Sequence, residues 1–318
     1  MNRRGFLLTS TVLARLKPSR SAFLCRSERE ASAERPQSLT AEGWRIFEVK
    51  THVHVQNASG VTRVWLPTPL VGAPYQQTLG DTYIAENGRV VMVEGEDLDL
   101  LLAEWTEGAS PIVDLTSRIA TRAHAVDLTT PKVAPPADLS SFERFLRPTR
   151  LYAVDGSVRA LASGATRGAG TDIDKARAIG DWIGAHVSKS GSVACGLADP
   201  QCADRNALFA ALSRAAGIPA RVLYGLSLGS TDATKAQRSH GEVYLVGFGW
   251  VPLDAGRLFG SWDATWIAFN SAQDVVLPKA KHGTLPFFMH PQAETANGRA
   301  NSLEPATFRY DISVRESA

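Results

Sequence analysis

The sequence predicts an α+β chain in which an antiparallel β domain precedes a core of helices feeding a β-hairpin. Three observations predict it. From Trp44 onward apolar and polar residues alternate with period two, as in half-buried strands. Pro131-Lys132-Val133-Ala134-Pro135-Pro136 then interrupts the pattern as a stiff, extended linker. Helix caps and apolar stripes of helical period begin only beyond it.

In the first strand Phe47, Val49, Thr51, Val53 and Val55 face one way. Glu48, Lys50, His52 and His54 face the other, so the two histidines belong to a wet face rather than to a metal site. Gly60 marks a turn, Val61–Leu66 resumes as a strand, and Arg89–Val93, Leu100–Trp105 and Ile112–Thr121 follow with Gly, Pro and Asp between them. These residues define a β domain over 44–128 and a linker over 129–150. Beyond the linker, Asp155–Ala165 reads as a short helix with Val158, Leu161, Ala162 and Ala165 on one face. Thr171 with Asp174 three residues on resembles a capping box. The helix it opens carries Ile173, Ala176, Gly180, Ile183 and Val187 as a stripe, with Gly180 and Gly184 suited to a close neighbour.

At 318 residues, 44% hydrophobic and 21% charged, the chain has the composition of a globular protein. It contains no apolar run of the ~18 residues that a membrane-spanning helix requires. The formal charge of +2 conceals an asymmetry. The first 33 residues hold seven Lys/Arg against two Glu, a net of +5, which leaves −3 for the rest. Such a balance gives no footprint for nucleic acid. Arg3-Arg4 before a short apolar stretch, with Ala31-Ser32-Ala33 as a small-residue cleavage site, fits a Tat-type leader over 1–33 and predicts a periplasmic or otherwise exported protein. Of the three cysteines, Cys195 and Cys202 would remain after cleavage and could pair in an oxidising compartment. Their spacing suits no common zinc site and no histidine pair lies nearby, so no metal site is expected.

The chemistry concentrates between Gln201 and Gly256. Cys202 follows the breaker pair Asp199-Pro200 and opens an amphipathic helix with a stripe of Leu208, Ala211, Leu212 and Ala215, stopped by Gly217. A cysteine at a helix start gains thiolate character from the unpaired N–H groups and the macrodipole. Ile218–Gly225 runs out as a strand, and Glu242–Val246 and Trp250–Asp254 flank a turn as a hairpin. With Val246 paired to Trp250, His240 sits diagonally from Asp254 on one face, roughly 7–8 Å apart at Cα. Cysteine, histidine and aspartate in this order read as nucleophile, base and orienting carboxylate.

Cys-x-Asp before an apolar helix, Arg-Ala-Ala-Gly-Ile-Pro-Ala-Arg at 214–221 and Glu-Val-Tyr-Leu-Val-Gly-Phe-Gly-Trp-Val-Pro-Leu-Asp at 242–254 resemble the transglutaminase-like superfamily. The likeness runs on through Trp262, Trp266–Asn270, Asp274–Pro278 and Pro291–Glu294, so that a transglutaminase-like domain is expected over 151–310. The resemblance implies a papain/transglutaminase-like α+β core and acyl transfer to water or an amine through a thioester, without metal or organic cofactor. Two positions depart from the family pattern. Arg238 stands where an ungapped reading places the family histidine, His240 lying two residues later, and Gln273 stands where a histidine is frequent.

The reading that follows is a cysteine-dependent hydrolase or acyl transferase acting on amide bonds of a peptide, protein or cell-wall substrate. Cys202 attacks, His240 carries the proton and Asp254 holds the imidazole, with Arg238 and Trp250 as candidate cleft residues. The alternatives are a catalytically degenerate relative that binds a peptide or partner protein in the same cleft, and a chain whose Cys195 and Cys202 are joined.

Overall fold

The computed structural model describes residues 43–70, 73–106, 111–134, 136, 140–187, 204–255, 258–281, 283–300 and 307–317. The leader expected over 1–33, Cys195 and Cys202 lie outside them.

The alternating segment forms β1 (Arg45–Val55), with Phe47, Val49, Thr51, Val53 and Val55 buried and Glu48, Lys50, His52 and His54 between them partly or fully exposed. His52 sits on the wet face, its Nδ1 3.0 Å from Asp114 Oδ1. Then come β2 (Thr62–Pro67), β3 (Gln76–Ile84), β4 (Arg89–Val93), β5 (Leu100–Trp105), β6 (Ile112–Thr121) and a two-residue β7 (His124–Ala125). A 3₁₀ turn over Ser140–Phe145 leads to α1 (Gly156–Ala165), α2 (Asp172–His186) and α3 (Arg205–Ala215). Next are β8 (Ala220–Ser227), β9 (Gln237–Leu245), β10 (Gly249–Asp254), β11 (Leu258–Phe259), β12 (Ser261–Trp262), β13 (Trp266–Asn270), β14 (Gln273–Val275) and β15 (Leu285–Phe287). The chain ends with β16 (Gln292–Thr295), β17 (Gly298–Ala300) and β18 (Phe308–Ser317).

Two sheets, β18-β1-β6-β3 and β17-β16-β2-β5-β4, face each other across a core that includes Val53, Val64, Leu66, Leu101, Trp105, Leu115 and Phe308. Both are completed by strands from the far end of the chain. β18 pairs β1 from Ile46↔Ser317 to Val55↔Phe308, and β16 pairs β2. Residues 292–294 and 308–310, read from sequence as part of the 151–310 unit, therefore lie in ladders with residues 63–65 and 53–55. Apolar strand faces left open by 44–128 alone are closed by these returning strands, because an unpaired edge leaves backbone groups unsatisfied.

The third large sheet, in the order β11-β10-β9-β8-β13, carries the helices. Val222, Tyr224, Val243, Leu245, Val251 and Leu253 pack with Ala176, Ile179, Ile183, Phe209, Ala210 and Leu212. Helix starts follow their local chemistry. Asp155 caps α1 through Ser157 N and Val158 N, and Thr171 with Asp174 makes the full capping box of α2. The buried stripe of α2 is Ala176, Ile179 and Ile183; Gly180 is not in close contact, since an added Cβ there would meet nothing within 4 Å. The end of α3 is a Schellman motif: Ile218 N donates to Ser213 O, Gly217 N to Arg214 O, and Gly217 sits at φ +82°.

α3 departs from the sequence reading. It is buried nearly all round, at Asn206, Ala207 and Phe209 to Arg214, whereas Leu208 is only half-buried. A helix wedged between a sheet and two other helices has no solvent face, so a single apolar stripe does not describe it.

Candidate active site

α3 begins under Asp204, two residues after Cys202. The Asp204 carboxylate caps the helix by accepting from Asn206 N at 2.9 Å, and Ser239 Oγ on β9 donates to its other oxygen at 2.7 Å. Burial pushes this carboxyl above the usual carboxylate range, against the hydrogen bonds from Ser239, Asn206 N and Ala207 N, and the Asp254 charge adds to the rise. The nucleophile reading of Cys202 thus stands beside a defined helix start and cap, with the cysteine itself outside the described residues.

Asn206, buried in the first turn, reaches both strands. Its Nδ2 donates to Ser239 O at 3.0 Å and lies 3.4 Å from Asp254 Oδ1, while its Oδ1 accepts from Ala255 N at 2.9 Å. Asp254, at the end of β10, is in this way brought to the first turn of α3.

The hairpin register differs from the sequence expectation. Tyr244, not Val246, pairs with Trp250, and the ladder runs on to Gly241↔Leu253. Phe248 N donates to Leu245 O, and Gly247 sits at φ +88°, the third position of a turn where only glycine adopts that conformation without strain. Val246 is left exposed at the tip. The ladder ends at Gly241↔Leu253, one residue short of His240 and Asp254, and its register is not the one that sets them diagonally. Ser239 and His240 leave β9 on opposite faces. Ser239 meets the cap of α3, while the His240 ring packs 4.4 Å from Trp266 and 5.9 Å from Trp262 between ring centroids.

Arg238 is exposed and turns back on its own chain, donating to Gln237 O at 2.7 Å. Trp250 lies beneath the Arg221 guanidinium at 4.1 Å and edge-on to Phe145. Arg221 in turn is ion-paired to the fully buried Glu242 at 2.6 Å, which also accepts from Tyr75 Oη. The arginine of the Gly-Ile-Pro-Ala-Arg stretch is thus a structural cation holding, through Glu242, the hairpin to the β domain. Arg214 and Gln273 meet at 3.3 Å beside the hydroxyl pair Tyr152–Tyr224 at 2.6 Å, and burial pushes both phenols up.

Residues 159–255 match the sequence model of the transglutaminase-like superfamily. That segment of the chain is transglutaminase-like. A transglutaminase-like fold is also seen in the solved structure of a candidate cysteine protease from Cytophaga hutchinsonii. It aligns at a TM-score of 0.55 and 19% identity, over 86% of this chain and 99% of that one. The periplasmic domain of TgpA from Pseudomonas aeruginosa aligns at a TM-score of 0.34 and 14% identity, over 63% of this chain and 88% of that one. An uncharacterized protein of Haemophilus influenzae is 27% identical, over 80% of this chain and 86% of its own length. No helix among the described residues is long and apolar enough to cross a membrane. No group of three or more His, Cys, Asp or Glu among them is placed to hold a metal ion.

Sequence reasoning missed Asn206, Ser239 and the indoles beside His240. The signal for Asn206 was present: an amide within the buried segment of an apolar helix requires partners.

Proposed function

We propose that this protein is a cysteine-dependent acyl transferase or hydrolase acting on amide bonds of peptides or proteins through a thioester. The observation that carries the reading is the convergence of Asp254 on the first turn of α3, through Asn206 at 3.4 Å, two residues from the helix cap that follows Cys202. The family and the fold of the Cytophaga chain support a thiol enzyme of papain-like kind.

Cys202 Sγ forms a bond to the acyl carbon while its proton passes to the His240 imidazole. The tetrahedral intermediate collapses, breaking the C–N bond, and the amine leaves with that proton. Water then attacks the thioester carbon and gives a proton to His240; the C–S bond breaks, the acid leaves and Cys202 Sγ takes that proton back. Asp254 holds the imidazole in the tautomer that accepts from Cys202, and the Cys202 backbone N–H stabilises the oxyanion. The substrate is a peptide, a protein or a cell-wall fragment, and the protein works outside the cytoplasm after removal of its leader.

Turnover of fluorogenic peptide amides by single variants tests this. His240→Ala abolishes activity and Arg238→Ala leaves most of it. Activity that appears only in Arg238→His identifies the native chain as a binding-only relative and overturns the enzyme reading.

A further inference from the structure

One side chain ties three elements together at the candidate site. Asn206 is the second residue of α3 and is only 5% exposed. A primary amide offers two N–H donors and one carbonyl acceptor. The carbonyl takes the backbone N–H of Ala255, just beyond β10. The amino group serves β9 through Ser239 O at 3.0 Å, with Ser239 Oγ at 3.4 Å, and β10 through Asp254 Oδ1 at 3.4 Å. Beneath it lies Gly241, where an added Cβ would come within 2.8 Å of Leu253 and 3.6 Å of Asn206 Oδ1, so the strand accommodates the amide closely.

Helix propensity does not explain an asparagine here. It is a weak helix former, and the cap is already supplied by Asp204. Packing does not explain it either, since a buried amide without all its partners costs more than an apolar residue of similar size. What this side chain provides, and an apolar one would not, is a simultaneous grip on the helix start and on the ends of both strands.

We propose that Asn206 is a positioning residue: it fixes the Asp254 carboxylate and β9 relative to the start of α3, and so sets the distance between nucleophile and imidazole. This rests on the reading of Cys202, His240 and Asp254 given above. A displacement of 1 Å is enough to lose about a hundredfold in a proton-transfer reaction, which makes such a clamp functionally sensitive.

The test is the alkylation rate of Cys202 by iodoacetamide against pH, resolved by peptide mass mapping, in the native full chain, Asn206→Ser and Asn206→Asp. Asn206→Ser loses the long reach, and Asn206→Asp keeps the size and the acceptor while placing a carboxylate beside Asp254. Circular dichroism establishes that each variant is folded at the assay temperature. The native midpoint is expected below the free thiol's ~8.5. Both variants should move it upward by about one unit, and more so in Asn206→Asp, where like charges meet. Folded variants with a lowered melting temperature but the native midpoint overturn the positioning role and leave Asn206 as a structural staple. A native midpoint at or above the free-thiol value instead overturns the Cys202 reading on which it rests.

Discussion

Gly225→Ala should be among the most damaging single-methyl additions in this protein. Gly225 lies in β8, the strand that pairs with β9 on one side and β13 on the other, opposite Arg238 and Ala268. A Cβ there would stand 1.9 Å from Ile267 O, 2.9 Å from Ile267 C and 2.7 Å from Trp266 Cζ2. A carbon–oxygen contact needs about 3.3 Å, so β13 must retreat by more than about 1 Å. Ladder bonds that begin near 2.9 Å then pass their useful limit. Losing about two of them at ~1 kcal/mol each, with overpacking of about 1–3 kcal/mol, gives a destabilisation of about 3–5 kcal/mol. At roughly 2–4 °C per kcal/mol, thermal unfolding followed by circular dichroism should register a fall in Tm of roughly 10 °C. Because Trp266 packs on His240, the folded fraction should also lose thiol reactivity. Gly180→Ala, in the open interior of α2, is the matched control and should gain about 0.5–1 kcal/mol. A Gly225→Ala protein melting within a degree or two of the native chain would refute the steric reasoning.

Further outcomes follow from the same structure. Asp204 has its carboxyl raised by burial, so its stabilising contribution is complete below the ordinary aspartate value of ~3.9 and is lost as pH rises through the raised folded value. Asp204→Asn keeps a good cap and cannot ionise; its Tm relative to native should therefore improve between about pH 4 and pH 7, and a flat difference would contradict the burial argument. Removal of a Tat-type leader predicts a mature chain beginning near Glu34, and N-terminal sequencing of the native protein that finds residues 2–20 retained would end that proposal.

Much of the fold was legible because local chemistry and tertiary context agree. The alternation of Phe47 to Val55, the three strands ending at Val93, Trp105 and Thr121, the Thr171–Asp174 capping box and the Gly217 stop all survive in the structure. β3 was not legible: its residues are polar or half-buried, and its register shifts between Thr78 and Gly80, so no period of two is visible. Nor was the return of β16 and β18 to the first sheets, since pairing across more than 200 residues leaves no local trace. In the hairpin Trp250 pairs with Tyr244, two residues from the Val246 that the sequence suggests. Two glycines bracket Phe248, and sequence alone does not say which of them sits inside the closed turn. For the candidate site, the sequence offers Cys202, His240 and Asp254 in that order. The grip of Asn206 on Ser239, Asp254 and Ala255 could not be read from it, because it depends on how the start of α3 meets two strand ends.

The central claim is that Cys202 forms an acyl-enzyme with the help of His240. It is tested most directly by incubating the native chain with p-nitrophenyl acetate at neutral pH, quenching in acid and mapping the acetylated peptide. The account predicts a hydroxylamine-sensitive acetyl group on Cys202, formed at least about a hundredfold more slowly in His240→Ala. A Cys202 that stays unmodified, that is found bridged to Cys195, or that acetylates equally fast without His240 would contradict it.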